Sequence, residues 1–313
     1  GDPSAFWNGD VAEVILFSEK LNTTQRRIVE SYLQSRYAFG NFNDDLYGFD
    51  GSHPNGVAGI GRTSSSDAHL EAASSILTLE AAGALDDGDF ILFGNDASPL
   101  ALTTSERPND PSQPADGSNA RKLRREWKVD LTGASSRTID VNVDLSALSL
   151  PGGYNDYALF VDDDGDFTSG ATFYDLDANG RASEVTLEDA DYVTVAAIKR
   201  TVSFNVSTRS VFEDAGGPGL GDSFFPEILV ELNYSSSEGL SVPFSVTEAT
   251  GGTLFENSGG TWSAPEDYGV RGTTVTIPGG NTQWPINRDI TFENLEIFND
   301  GKAAGTDPEE SSP

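Results

Sequence analysis

The segments that decide the fold are "LRREWKVDL", from Leu123 to Leu131, and "TIDVNVDLS", from Thr138 to Ser146. In both, apolar and polar residues alternate, which is the period of a β-strand that buries one face. Short stretches rich in Gly, Asp, Ser and Pro separate such segments, as turns between strands do. The two segments therefore predict strands of an all-β sandwich.

Further segments on both sides have the same character. The additional strand candidates are "SILTLE" (Ser75–Glu80), "DFILFGN" (Asp89–Asn95), "YALFVD" (Tyr157–Asp162) and "YVTVAAI" (Tyr192–Ile198). The proline-containing stretch from Ser98 to Ala120 lacks any periodicity and is predicted to be a long loop. We expect one β-sandwich module over residues 43–200.

The first forty residues follow a different pattern. "VAEVILF" (Val11–Phe17) is apolar and β-rich, which predicts a strand, and Asn22 and the two threonines that follow are suited to cap a helix. Apolar residues then recur at helical spacing, ending near Gly40, at positions Ile28, Val29, Tyr32, Leu33 and Tyr37. Because one strand and one helix cannot form a core, this segment must dock on another part of the protein.

Composition excludes several classes of function. The chain has 313 residues, a formal net charge of -31 and a sequence pI of about 4.1, so nucleic acid and anionic membrane surfaces repel it and cations are attracted. It has no cysteine, which excludes disulfides and thiolate metal sites. With only His53 and His69, a histidine-rich zinc centre is also excluded. No apolar run is long enough to predict a membrane span.

An acidic cluster is the strongest sign of chemistry. Six aspartates occur within the sixteen residues Asp162–Asp177, four of them in the run Asp162-Asp163-Asp164-Gly165-Asp166. Closely spaced carboxylates on a turning loop are ligands that calcium prefers, and glycine permits the tight backbone. An EF-hand is rejected, because the twelfth position counted from Asp162 is Phe173.

We therefore predict a calcium loop on a β-sandwich, with a solvated acidic turn as the alternative. The predicted ligands are Asp162, Asp164 and Asp166, with Asp175 or Asp177 assisting.

A basic segment, "NARKLRREWK" (Asn119–Lys128), holds five of the chain's nineteen basic residues. It could form a patch for anions or acidic glycans, but its strand pattern favours pairing with the chain's own carboxylates. Trp127 is predicted to lie in the core.

Two parts of the chain resemble known families. "NGDVAEVILFSEKLNTTQRRIVESYLQSRYAFG" (Asn8–Gly40) resembles the final strand and closing helix of concanavalin-A-like, laminin-G-type jelly rolls in bacterial surface proteins. The segments "VSFNVSTRSVFEDAGG" (Val202–Gly217) and "GTTVTIPGGNTQWPI" (Gly272–Ile286) resemble a Calx-beta domain, an immunoglobulin-like sandwich. That resemblance implies a second calcium site at Glu213, Asp267 and Asp300, with Glu309 or Glu310 assisting.

These interpretations predict tandem β-sandwich modules with one short N-terminal helix. The expected divisions are a jelly-roll end over residues 1–42, the middle module over 43–200, the Calx-beta-like sandwich over 201–301 and an acidic tail over 302–313. Both ends of the chain are expected to lie within domains. The order of motifs from "GIGR" to "VDDDGDFTSGA" resembles an uncharacterised module of secreted Bacteroidetes proteins.

The expected function is a non-catalytic, calcium-stabilised structural or adhesive segment of a large, secreted, bacterial cell-surface protein. Besides calcium, its expected partners are glycans, other cell-surface proteins, or a second copy bound through open sheet edges. The alternative is a carbohydrate-binding module of a secreted polysaccharide-degrading enzyme, which would need exposed aromatics such as Trp7, Trp262 or Trp284.

Overall fold

A computed structural model gives the structure of the chain. It describes residues 9–38, 45–81, 85–103, 108, 119–204, 229–243, 254–256, 268–270, 274–285 and 295–297. The chain divides into two compact units, residues 1–199 and 200–313.

The first unit contains one α-helix and twelve strands among its described residues. They are α1 (Thr23–Tyr37), β1 (Asn55–Ser64), β2 (Asp67–His69), β3 (Glu71–Ser74), β4 (Leu77–Glu80), β5 (Phe90–Asn95), β6 (Ala120–Lys122), β7 (Trp127–Thr132), β8 (Ser136–Val143), β9 (Asp156–Asp162), β10 (Thr172–Asp175), β11 (Arg181–Glu188) and β12 (Tyr192–Ile198). A short 3-10 helix, Leu145–Ala147, follows β8.

These strands form two antiparallel sheets that share one core. The larger sheet has the order β10-β9-β12-β7-β5-β1-β2, with β6 also pairing with β12, and the smaller has the order β11-β8-β4-β3. Buried side chains of both sheets, such as Phe93 and Val129 from the larger and Leu79 and Val141 from the smaller, form one apolar cluster. This is a β-sandwich, and the all-β prediction for this module is confirmed.

The two segments that decide the fold become β7 and β8. Along β7, buried and half-buried residues alternate from Trp127 to Thr132, and β8 shows the same alternation over its last five residues. The indole Nε1 of the fully buried Trp127 donates to the carbonyl of Ser74 at 3.0 Å, which satisfies its polar group inside the core. Trp127 is thus a core residue, as predicted.

Helix α1 covers the outer face of the larger sheet. Its N-terminus is fixed by a capping box, in which the Asn22 side chain accepts from the Gln25 amide and the Gln25 side chain accepts from the Asn22 amide. Ile28 packs with Phe90 and Leu92 of β5 in a second apolar cluster. The predicted helix is confirmed, and it ends at Tyr37 rather than at Gly40, because Ala38 adopts a left-handed conformation with φ 48°.

The predicted strand Val11–Phe17 is wrong. The structure assigns no strand there, and the side chains are exposed, Val11 by 63% and Leu16 by 89%. An apolar segment becomes a strand only when a neighbouring backbone pairs with it, and no described residue does so. The segment instead approaches α1, where the Tyr37 hydroxyl donates to Glu13 at 2.9 Å.

The second unit is also built of short strands. They are β13 (Val202–Phe204), β14 (Leu229–Leu232), β15 (Leu240–Pro243), β16 (Leu254–Glu256), β17 (Tyr268–Val270), β18 (Thr274–Ile277), β19 (Gln283–Pro285) and β20 (Leu295–Ile297). They form the sheets β13-β14-β19, β15-β18 and β16-β17-β20. Val230 and Leu232 of β14 form an apolar cluster with Val275 and Ile277 of β18.

Among the described residues, no helix has the length and apolar character needed to cross a bilayer.

Candidate metal centre

The acidic turn begins where β9 ends. Tyr157, Leu159 and Val161 of β9 face the sandwich core, so the alternate residues Phe160 and Asp162 point to the opposite face of the larger sheet. Asp162 is the last residue of the strand and is only 3% exposed. A carboxylate is therefore buried at the start of the turn that leads to β10.

The two carboxylate oxygens of Asp162 have different surroundings. Oδ1 accepts hydrogen bonds from the amides of Asp164, at 3.1 Å, and Gly165, at 2.7 Å. Oδ2 is buried and has no hydrogen-bond partner among the described residues. Burial raises the pKa of Asp162, and the two amide donors oppose that shift. A buried oxygen without a partner is costly, so this atom is suited to accept a hydrogen bond or to bind a cation.

Two more carboxylates lie beside the Asp162 side chain. Asp163 and Asp164 are exposed, and one oxygen from each lies within 4.8 Å of the other and of one from Asp162. Among the described residues, this is the single group of three or more such side chains that could hold an ion. No salt bridge in the described part of the chain reaches these aspartates, so their like charges repel one another.

Two of the remaining predicted ligands, Asp166 and Asp177, lie in turns of their own. Asp166 accepts from the amide of Thr168 at 3.2 Å and from its hydroxyl at 2.6 Å, and these bonds lower the pKa of Asp166. Asp177 accepts from the amides of Asn179 and Arg181 before β11 begins, and it too has a lowered pKa.

Asp175 ends β10, opposite Ala158 of β9. The sequence predicts Asp162, Asp164 and Asp166 as ligands, with Asp175 or Asp177 assisting. The structure groups Asp162 and Asp164 with Asp163 instead. The signal that could have identified Asp163 is the turn itself. Residues i, i+2 and i+4 share a side only in an extended chain, and the backbone turns directly after Asp162.

A fourth carboxylate lies near this end of the sheet. Asp191 precedes β12, is 6% exposed, and accepts from the amide of Glu188 at 2.7 Å. Burial raises the pKa of Asp191 to about 6, and the charges of Glu188, Asp163 and Asp162 add to the shift. The surroundings of the turn are therefore strongly anionic.

The basic segment is used within the first unit. The buried Lys122 forms a salt bridge with Glu126, and Arg125 donates to the carbonyl of Ser98 and to the hydroxyl of Ser75, both at 2.7 Å. The Arg121 guanidinium lies 5.2 Å from the ring centroid of Tyr154. These contacts support the structural interpretation over an anion-binding patch.

The two histidines show no catalytic arrangement among the described residues. Nδ1 of the buried His53 hydrogen-bonds with the Ser52 hydroxyl at 2.9 Å, but Nε2 has no partner, and no described carboxylate hydrogen-bonds to the ring. Burial lowers the pKa of His53 and also that of His69. The carboxylate that would orient a catalytic histidine is not found there.

Several predicted residues lie outside the described part of the chain. These are the second calcium set, Glu213, Asp267, Asp300, Glu309 and Glu310, and two of the aromatic candidates, Trp7 and Trp262. Trp284 lies in β19.

A family model described as "Domain of unknown function (DUF8202)" matches residues 48–191. The match is less than half of the chain, and it includes β1 to β11 with the acidic turn. No curated protein and no solved structure matches the chain.

Proposed function

We propose that this chain is a non-catalytic, calcium-stabilised structural or adhesive segment of a large, secreted bacterial cell-surface protein. The observation that carries the proposal is the buried Asp162 carboxylate, whose Oδ2 lacks a partner among the described residues and which has two further carboxylates beside it. The described part of the first unit also supports a scaffold, because many of its polar side chains hydrogen-bond to strands, turns and helix caps.

Calcium suits this group better than other cations. Three carboxylates supply hard oxygen ligands, and calcium accepts six to eight of them in flexible geometry, with water completing the set. Magnesium demands a nearly ideal octahedron and keeps most of its water. Two lysines of the first unit have other partners, because Lys122 is paired with Glu126 and Lys128 donates to the Tyr192 hydroxyl at 2.6 Å.

The physical role of the ion would be to cancel the repulsion among Asp162, Asp163 and Asp164. This would fix the turn between β9 and β10 at one edge of the larger sheet. A module stabilised in this way can serve as a rigid spacer that displays binding surfaces on a cell.

Calorimetric melting of the full chain with calcium chloride and with a chelator tests the proposal. A ligand at one hundred times its dissociation constant stabilises the folded state by about 2.7 kcal/mol. For a domain of this size, that corresponds to a rise in Tm of roughly 5 to 11 °C. Magnesium chloride at the same concentration is the control and should give a smaller rise. An unchanged midpoint with calcium would refute the calcium site.

A further inference from the structure

Three side chains lie in a row across the larger sheet, next to the acidic turn. Tyr192 of β12 pairs with Asp162 of β9 on one side and with Lys128 of β7 on the other. Residues directly opposite each other in a sheet point to the same face, so the three side chains are neighbours. The ammonium of Lys128 donates to the Tyr192 hydroxyl at 2.6 Å and lies 3.8 Å from the centroid of its ring.

The ring of Tyr192 also contacts the turn itself. Gly165 has a φ of +83°, and a Cβ added there would lie 3.2 to 3.3 Å from three atoms of the Tyr192 ring. The backbone of the turn thus rests on the aromatic ring. The amide of Gly165 is also the shorter of the two donors that hold Oδ1 of Asp162.

Lys128 fixes the ring from the side of the sheet. Its ammonium lies 4.5 Å from the ring centroid of Phe49 as well, so it sits between two aromatic rings. His53 meets Tyr192 edge to face, with ring centroids 5.6 Å apart. Tyr192 is therefore held in place before any ion binds.

We infer that Tyr192, held by Lys128, is a positioning residue that shapes the acidic turn for its ion. The ring supports Gly165, Gly165 orients the Asp162 carboxylate, and Oδ2 is left free to bind the cation. A site shaped in advance loses less entropy on binding, which raises affinity without adding a ligand. The inference rests on the calcium site proposed above.

Titration calorimetry of the full chain with calcium chloride tests it, at a temperature where each variant is folded by circular dichroism. Tyr192→Ala should weaken calcium binding about tenfold or more, because the aromatic ring that supports Gly165 is lost. Tyr192→Phe keeps the ring and should stay within about threefold of the unsubstituted chain.

A pair of glycines provides a second, independent measurement. Gly165→Ala and Gly170→Ala carry the same backbone strain, because φ is +83° at one and +86° at the other, but an added Cβ meets nothing within 4 Å at Gly170. Gly165→Ala should weaken calcium binding several-fold more than Gly170→Ala. In the Tyr192→Ala background the two should have equal effects, because the ring is gone.

The outcomes separate the two proposals. If the unsubstituted chain gives no calcium isotherm, the proposed function fails, and the inference fails with it. If the unsubstituted chain binds calcium and Tyr192→Ala binds it equally well, the inference alone is overturned. If Tyr192→Ala does not fold, the two glycine variants decide, and equal affinities for them would overturn the inference.

Discussion

Replacing Asp162 by asparagine should make the protein more stable than the unsubstituted chain without calcium and less stable than it with calcium. The asparagine Oδ1 can still accept from the amides of Asp164 and Gly165, so the turn keeps its backbone hydrogen bonds. The negative charge beside Asp163 and Asp164 disappears, and an amide nitrogen replaces the oxygen that has no partner. The variant therefore loses the repulsion and also loses the central ligand.

The expected stability changes follow from the cost of burying an unpaired polar atom and from the stabilisation that bound calcium provides. A buried polar atom without a partner costs about 1 to 3 kcal/mol, and more when it is charged, whereas the new amide group carries only the neutral cost. We expect the calcium-free variant to be about 1 kcal/mol more stable than the unsubstituted chain, which is roughly 2 to 4 °C in Tm. At calcium one hundred times the dissociation constant, the unsubstituted chain gains about 2.7 kcal/mol and the variant gains none.

Differential scanning calorimetry at pH 7.5, with EDTA or with calcium chloride, measures both differences. Asp177→Asn is the matched control, since Asp177 bonds within its own turn and lies outside the group of three. It should leave the calcium response intact. The reasoning is refuted if Asp162→Asn keeps the full calcium response, or if Asp177→Asn abolishes it.

Three further predictions concern pH, an ion pair and a close backbone approach. Burial raises the pKa of Asp191 from 3.8 to about 6, so its contribution to stability falls as the pH rises from about 4 to about 6. In calcium-free buffer Asp191→Asn should raise the free energy of unfolding more at pH 7.5 than at pH 4.5, by up to about 2 kcal/mol, and equal changes would contradict this. Arg137→Met leaves the 3%-exposed Asp89 without its guanidinium and should cost about 3 kcal/mol in urea unfolding. Arg181→Met removes an exposed arginine that pairs with Asp140 and should cost clearly less, and similar losses would rule out a special role for burial. Gly94→Ala places a Cβ 2.3 Å from the carbonyl oxygen of His53 and should cost about 1 to 3 kcal/mol by the same measurement, whereas Gly152→Ala meets nothing within 4 Å and should be neutral.

The sandwich could be predicted because its signals are local. β7 and β8 alternate along their own sequences, and each buries the face that the alternation selects. Helix α1 carries its cap in Asn22 and Gln25 and its apolar stripe within fifteen residues. In these elements the local pattern and the tertiary contacts agree, so the sequence alone was sufficient.

The segment Val11–Phe17 shows where local signals fail. Its composition is that of a strand, but a β-strand forms only when a second backbone segment hydrogen-bonds to it. No described residue pairs with this segment. Amino-acid composition shows that a segment is able to join a sheet. It does not show whether the edge strand of a sheet lies close enough to pair with it. The same limit applies to sheet order. β12 lies between β9 and β7, and nothing in the sequence of β12 predicts which strands it pairs with.

The acidic turn could be predicted only in part from the sequence. Its position could be predicted, because four aspartates around one glycine after an apolar strand are typical of a loop that binds a cation. The three carboxylates that come together could not be predicted, because they depend on the residue at which the backbone leaves the strand. The turn bonds of Asp162 bring consecutive carboxylates together, and the turn bonds of Asp166 direct that side chain to Thr168.

Tyr192 lies far along the chain from the acidic turn and reaches it only through strand pairing, so no spacing in the sequence connects it to Gly165. A cluster of like residues is a local signal, and ligands can be proposed from it. The residues that shape the site come from the neighbouring strands, and their identity depends on the sheet order. Sequence reasoning can therefore identify the carboxylates of such a turn, but it does not identify the residues of neighbouring strands that hold them in position.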